Sequence, residues 1–329
     1  MTIEQDNATL AKKLCAEYMK ERNQRRNIAL PSSIKFIIEG KTVRMSMGSS
    51  SVKANMQDNQ ASFEGWALAL KRWLSKDFDR VELSWEFTED VSDPHYQRFL
   101  YRVNQFKSLF KEWFSVVPFN LPEINKLKTE ERGHKFLLNV PSMPRSSKLD
   151  EQCNSLNKAM GSEHKLECFI VGHQEELCRL LKIDKIDRQL PVGVFRDCVS
   201  SKAEHGVFTR GHSAIDLWGV SRNEKKLFLF ELKKEGNERL GILSEMFFYS
   251  YVMADVQAKR FKFDKPNAEI EQTKSIDTYI LALDWHPLID EKMLQIINEA
   301  FERRELSIRF GAIRLVNTPE IYMVTVNAQ

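Results

Sequence analysis

The chain has 329 residues, 42% hydrophobic and 29% charged, enough apolar material for two domains and too much for disorder or a fibre. With 49 Lys and Arg against 46 Asp and Glu, the net charge of +3 does not single out a nucleic-acid binder. The positive excess lies before residue 150, a mild bias toward anions in the first half. The five cysteines (15, 153, 168, 178 and 198) are widely spaced and form neither a Cys-x-x-Cys pair nor a zinc-ligand pattern. The amino terminus is polar and no run approaches the ~20 apolar residues that span a bilayer. A reduced, cytoplasmic protein with no membrane partner is therefore expected.

In chain order, residues 4–26 read as a helix with a charged surface, on which Arg22, Arg25 and Arg26 suit a solvated face better than a phosphate site. Two extended stretches, 34–39 and 42–47, flank Gly40-Lys41 as a hairpin, and 48–60 read as loop. Apolar residues at helical spacing cover 61–75, 80–87 alternate as a strand, and Pro94 opens an aromatic-rich helix to about Val116. Phe99, Phe106, Phe110 and Trp113 recur at helical spacing, which favours a buried stripe over a base-stacking surface. A strand at 135–140 precedes PSMPRSS, whose prolines and serines mark the domain boundary near residue 145. The first domain, 1–145, thus reads as α+β, with a role in recognition, sensing or partner binding.

The second domain, 146–329, runs helix (163–181), short extended pieces near 192–195 and 207–209, and strands at 214–220 and 227–233. A helix (240–256), a strand (278–284), a helix (289–303) and a last strand (307–316) follow. That order suits an α/β domain in which a mixed sheet is flanked by helices.

The informative stretch is residues 213–253. Each of two apolar strands here carries an acid that an apolar neighbourhood disfavours. If 221–226 close a hairpin, Val220 faces Leu227 and Trp218 faces Leu229, so Asp216 comes opposite Glu231. The strand period of two then sends Lys233 to the same face. Adjacent carboxylates repel unless a cation lies between them, and Mg²⁺ suits one or two carboxylates plus water, with Mn²⁺ as a substitute. Such an ion polarises a phosphate oxygen and activates water for attack, while an ammonium orients that water or stabilises charge.

Asp216 followed by Glu231-Leu232-Lys233 resembles the PD-(D/E)XK, or restriction-endonuclease-like, nuclease superfamily. The resemblance covers roughly residues 163–316 and implies a metal-dependent nuclease. It implies Mg²⁺ on Asp216, Glu231 and the Leu232 carbonyl, with Lys233 serving the attacking water. The family's preceding helix often adds a Glu, for which Glu176 is the candidate, with Glu175 and Glu167 as rivals. Glu245 and Tyr249 match the spacing of a Gln-x-x-x-Tyr pattern in some branches, with Glu in place of Gln. Ile215 stands where the pattern has Pro.

The acid-x-Lys triplet occurs five times in this chain, but only Glu231 ends a continuous apolar strand preceded by an Asp-bearing partner strand and followed by a helix. The bland alternative is a hairpin end emerging into solvent. Arg210, His212, Lys234 and Arg239 are candidates to hold the nucleic-acid backbone, with a solvated surface role as the alternative for the cations and a bystander role for the histidine. No phosphate loop, serine elbow or HExxH is present. The expected function is phosphodiester hydrolysis, in DNA ahead of RNA, in restriction, defence or repair, with a homodimer or partner subunit supplying a second site. Two alternatives remain: an inactive nuclease-fold module that binds nucleic acid or a partner, and an adaptor within a larger assembly.

Overall fold

The computed structural model describes residues 6–88, 90–140, 163–208, 213–234, 239–315 and 324–325. They form an α/β protein with mixed sheets and flanking helices, divided into two compact units. One comprises 1–132, 239–245 and 286–304; the other comprises 133–238, 246–285 and 305–329. The boundary expected near residue 145 falls outside the described residues. The units part at 132/133 because Phe136–Leu138 already pairs within a sheet of the second unit.

In the first unit, β1 (Ile34–Glu39) and β2 (Thr42–Met47) form the expected hairpin, with Gly40 at φ +61° supplying left-handed backbone in the turn. β3 (Arg80–Trp85) and β4 (Phe114–Val116) add in parallel, giving the order β1-β2-β3-β4. Helix Phe63–Trp73 precedes β3 and helix Pro94–Leu109 precedes β4, so this half alternates as α/β and the α+β expectation is corrected. The stretch expected to be loop contains a short helix, Ser49–Lys53.

Helix Pro94–Leu109 starts where Asp93 accepts the His95 and Tyr96 N–H groups and proline occupies the first turn. It ends near Phe110, well before Val116, because Phe114 leaves to pair with Val81. Helical spacing does not reveal that exit, since Trp113 and Phe114 are apolar and buried like the helix face before them. Phe99, Phe106 and Phe110 are at most 1% exposed, so the aromatic stripe is core and not a base-stacking face.

The return segment 286–304 belongs to this unit through specific contacts. Asp290 caps helix Glu291–Arg303 by accepting the Met293 N–H, and also takes Arg72 Nη2 at 2.8 Å and Arg22 Nη2 at 3.0 Å. Trp73 donates its indole N–H to the Leu288 carbonyl, and His286 lies edge-on to Trp66. Hydrogen bonding to the Arg72 guanidinium holds Glu21 at about 2, below its usual 4.5. Burial pushes His286 down from 6.5 to about 4, and its Nδ1 accepts the Leu288 N–H. Both shifts disfavour protonation in the folded state, so each contributes stability above the ordinary pKa that is lost on acidification. The His286 contribution goes as pH falls from 6.5 toward about 4, and the Glu21 contribution from 4.5 toward about 2. His286→Asn retains an acceptor that does not titrate, and is expected to flatten the fall of the thermal midpoint between about pH 7 and 5. An equally steep fall in the variant would refute this assignment.

In the second unit, β6 (Lys185–Pro191), β9 (Ala214–Ser221), β10 (Lys226–Lys233), β12 (Ser275–Ala282), β13 (Ile308–Leu315) and β14 (Val324–Thr325) build a six-stranded sheet. Its order is β14-β13-β12-β10-β9-β6. A smaller sheet, β11-β5-β7-β8, uses β5 (Phe136–Leu138), β7 (Val194–Arg196), β8 (Gly206–Phe208) and β11 (Phe261–Phe263). β10 pairs antiparallel with β9 and parallel with β12, and helix Gly241–Gln257 makes the crossover between β10 and β12. The single helix expected over 163–181 is two, Glu163–Gly172 and Glu175–Leu181. Gln174 stabilises the break, donating to the Val171 carbonyl and accepting the Ile186 N–H.

Candidate active site

The β9–β10 register is the one expected: Leu227 pairs with Val220, Leu229 with Trp218 and Phe230 with Leu217. The pairing ends there, and the next step brings Asp216 and Glu231 to the same level. Asp216 Oδ2 takes over from the ladder, accepting the Leu232 N–H at 2.9 Å. Lys233 donates to Glu231 Oε1 at 2.6 Å, as the period of two requires. Asp216 is half-buried, whereas Glu231 and Lys233 are each only 3% exposed.

Strand alternation explains which groups meet. Leu217, Phe228, Phe230 and Leu232 point to one face, where they cluster with Leu166, Ile170 and Leu177 of the two helices preceding β6. Asp216, Glu231 and Lys233 occupy the opposite face. That face is covered by the part of helix Gly241–Gln257 in the second unit. Ser250 bonds the Thr278 hydroxyl at 2.7 Å, and Phe247 packs 4.9 Å from Phe310. Since Thr278 is the ladder partner of Leu229, these contacts lie on the Glu231 face.

The same alternation separates Glu176 from the site, and the expectation for it is corrected. It is 48% exposed on a helix that packs against the other face, and its ion pair is with Arg179 at 3.8 Å. Its rival Glu167 is buried but is taken by Arg188 at 2.6 Å, and Arg188 pairs in the ladder with Leu217, on the far side of the sheet. A 3.6-residue period shows which helix face is apolar but not which face of the sheet that helix covers.

Lys234 is exposed. Arg239 belongs to the first unit, where it pairs with Asp58. Arg210 and His212 lie outside the described residues. Glu245 and Tyr249 are both buried, at 0% and 4% exposure.

No protein family, curated protein or solved structure matches this chain.

The reading therefore rests on the donor set. Among the described residues, no three His, Cys, Asp or Glu side chains gather as a metal-binding group. Asp216 and Glu231 are a two-carboxylate set of hard oxygens, which suits Mg²⁺ keeping several waters and does not suit an all-protein cage. Sequence reasoning missed β6, whose alternating charged residues disguise a strand, and with it Gln189 at φ +55°. Gln189 lies between the pairs Arg188–Leu217 and Leu190–Ile215, level with Asp216, so a left-handed residue without glycine's freedom adjoins the acid.

Proposed function

We propose that the second unit is a metal-dependent nuclease module that hydrolyses phosphodiester bonds, in DNA ahead of RNA, with a restriction-endonuclease-like core. The observation that carries this reading is the joint placement of Asp216, Glu231 and Lys233 on one face, where the β9–β10 pairing ends. A strand end with a carboxylate on each of two neighbours and a lysine between sheet and helix is a costly arrangement for a purely structural element.

In this reading Asp216 and Glu231 hold Mg²⁺, or Mn²⁺ in its place, and the Leu232 backbone adjoins them. The ion, when bound, supplies polarisation of a phosphate oxygen and a water of lowered pKa. Asp216 keeps its carboxylate fixed by accepting the Leu232 N–H. Lys233 holds the Glu231 carboxylate in one rotamer and brings a positive charge toward the negative charge that builds on the phosphoryl oxygens. In this reading the protein acts in restriction, defence against foreign DNA or repair, with the first unit recognising substrate, signal or partner. A double-strand cutter further calls for a homodimer or a partner subunit to supply a second site.

Cleavage of supercoiled plasmid, linear duplex, single-stranded DNA and RNA, each with Mg²⁺, Mn²⁺ or EDTA, tests this reading. The wild type is expected to cut in a metal-dependent way, and Asp216→Asn, Glu231→Gln and Lys233→Met to lose about 10²-fold or more of the rate. A folded wild type that cuts none of these substrates, or variants as active as wild type, would overturn it. The near-complete burial of Glu231 and Lys233 favours a second reading, an inactive nuclease-fold module that binds nucleic acid or a partner. That reading expects nucleic-acid binding to survive all three substitutions without any cutting.

A further inference from the structure

Two exposed regions of the first unit have opposite chemistry. Residues 22–38 contain four Lys or Arg and no Asp or Glu, and every residue from Met19 to Asn27 is exposed, at and beyond the end of helix Asn7–Arg22. Arg22 is engaged by Asp290, whereas Arg25 and Arg26 make no ion pair, hydrogen bond or ring contact among the described residues. Residues 82–93, by contrast, contain five Asp or Glu and no Lys or Arg. Within that acidic stretch Phe87, 41% exposed, stacks at 4.7 Å on Phe119, which is 73% exposed. Glu86 and Asp90 beside it are also exposed.

Phe87 follows β3 and Phe119 follows β4, so the rings sit at the carboxyl ends of two adjacent parallel strands. Most exposed apolar residues are scattered singly. Two rings stacked in solvent and fringed by acids form a patch of the kind that marks an interaction surface. The flat guanidinium is the cation that matches a phenyl face and a carboxylate together.

We propose that the first unit binds a second copy of this chain head to tail. Arg25 and Arg26 of one copy seat on the Phe87–Phe119 pair of the next, with Glu86 and Asp90 as their counter-charges. A second copy is the occupant because one chain carries both halves of the contact. Among the described residues, no cation–π contact joins them internally. The two patches differ, so the interface is heterologous and extends from copy to copy or closes into a ring.

Light scattering from about 1 µM to about 0.5 mM protein, at about 50 and 500 mM salt, tests the proposal. The mass is expected to rise above 38.4 kDa with concentration and to fall back with salt. Arg25→Glu with Arg26→Glu is expected to weaken association by about 10-fold or more, and Phe119→Ser to do the same. Both variants alter exposed side chains, so their thermal midpoints should match wild type. Mixed together, they should form a species of two chains that grows no further, because each supplies the patch the other lacks. A wild type that stays monomeric throughout overturns the proposal, as does association that persists in either variant or a mixture that stays monomeric.

Discussion

Glu231→Ala is expected to destabilise the second unit by about 3–5 kcal/mol, the cost of breaking a buried ion pair by removing one of its partners. Lys233 Nζ lies 2.6 Å from Glu231 Oε1, and both side chains are at most 4% exposed, so solvent screens the pair little. The double variant Glu231→Gln, Lys233→Met removes both charges and keeps the volume. It should lie closer to wild type than the sum of its single changes, the signature of direct coupling. Urea unfolding of wild type, Glu231→Ala, Glu231→Gln, Lys233→Met and the double variant gives the measurement. A Glu231→Ala midpoint near that of wild type would mean that the pair is solvated in solution, and would also remove the energetic reason for regarding it as functional.

Arg102→Met is expected to cost the first unit a comparable amount, about 3–5 kcal/mol, for the same reason. Arg102 donates through Nε to Glu64 Oε1 at 2.8 Å and through Nη2 to the other carboxylate oxygen, and it also reaches the Ala61 carbonyl. Glu64 is fully buried and takes a third donor, Ser244 Oγ at 2.8 Å. The bond to Ser244 ties residues 239–245 to this unit, so the loss should spread beyond the two helices that carry the pair. Ser244→Ala removes one hydrogen bond to a charged acceptor, and about 1.5–3 kcal/mol is expected for it. Hydrogen exchange over 239–245 should rise in Arg102→Met before the unit as a whole unfolds. Unchanged protection in that segment would show that the cluster is not what anchors it.

These two clusters differ in how visible they are in the amino-acid sequence. Asp216 and Glu231-Leu232-Lys233 stand out because they interrupt apolar strands, and the short hairpin leaves one register that faces apolar residues with apolar residues. Glu64 and Arg102 are separated by 38 residues on two amphipathic helices, where a charge at the edge of the apolar stripe reads as surface. Only packing makes them partners.

The sequence by itself determined the elements with a strong local period: the 34–47 hairpin, the β9–β10 hairpin and its register, the buried aromatic stripe and the long helix before β12. In each, the pattern of apolar residues over a few turns or pleats decides the conformation, so no distant contact is needed. Tertiary structure decided what depends on residues far apart in the chain. The exit of Phe114 from the helical pattern into β4 is set by its pairing with Val81. The return of 286–304 to the first unit is set by Arg72 and Trp73. The exclusion of Glu176 is set by which face of the sheet its helix covers. A helix reports its own apolar side through its spacing, but the surface that receives that side is chosen by the cooperative packing of the whole unit.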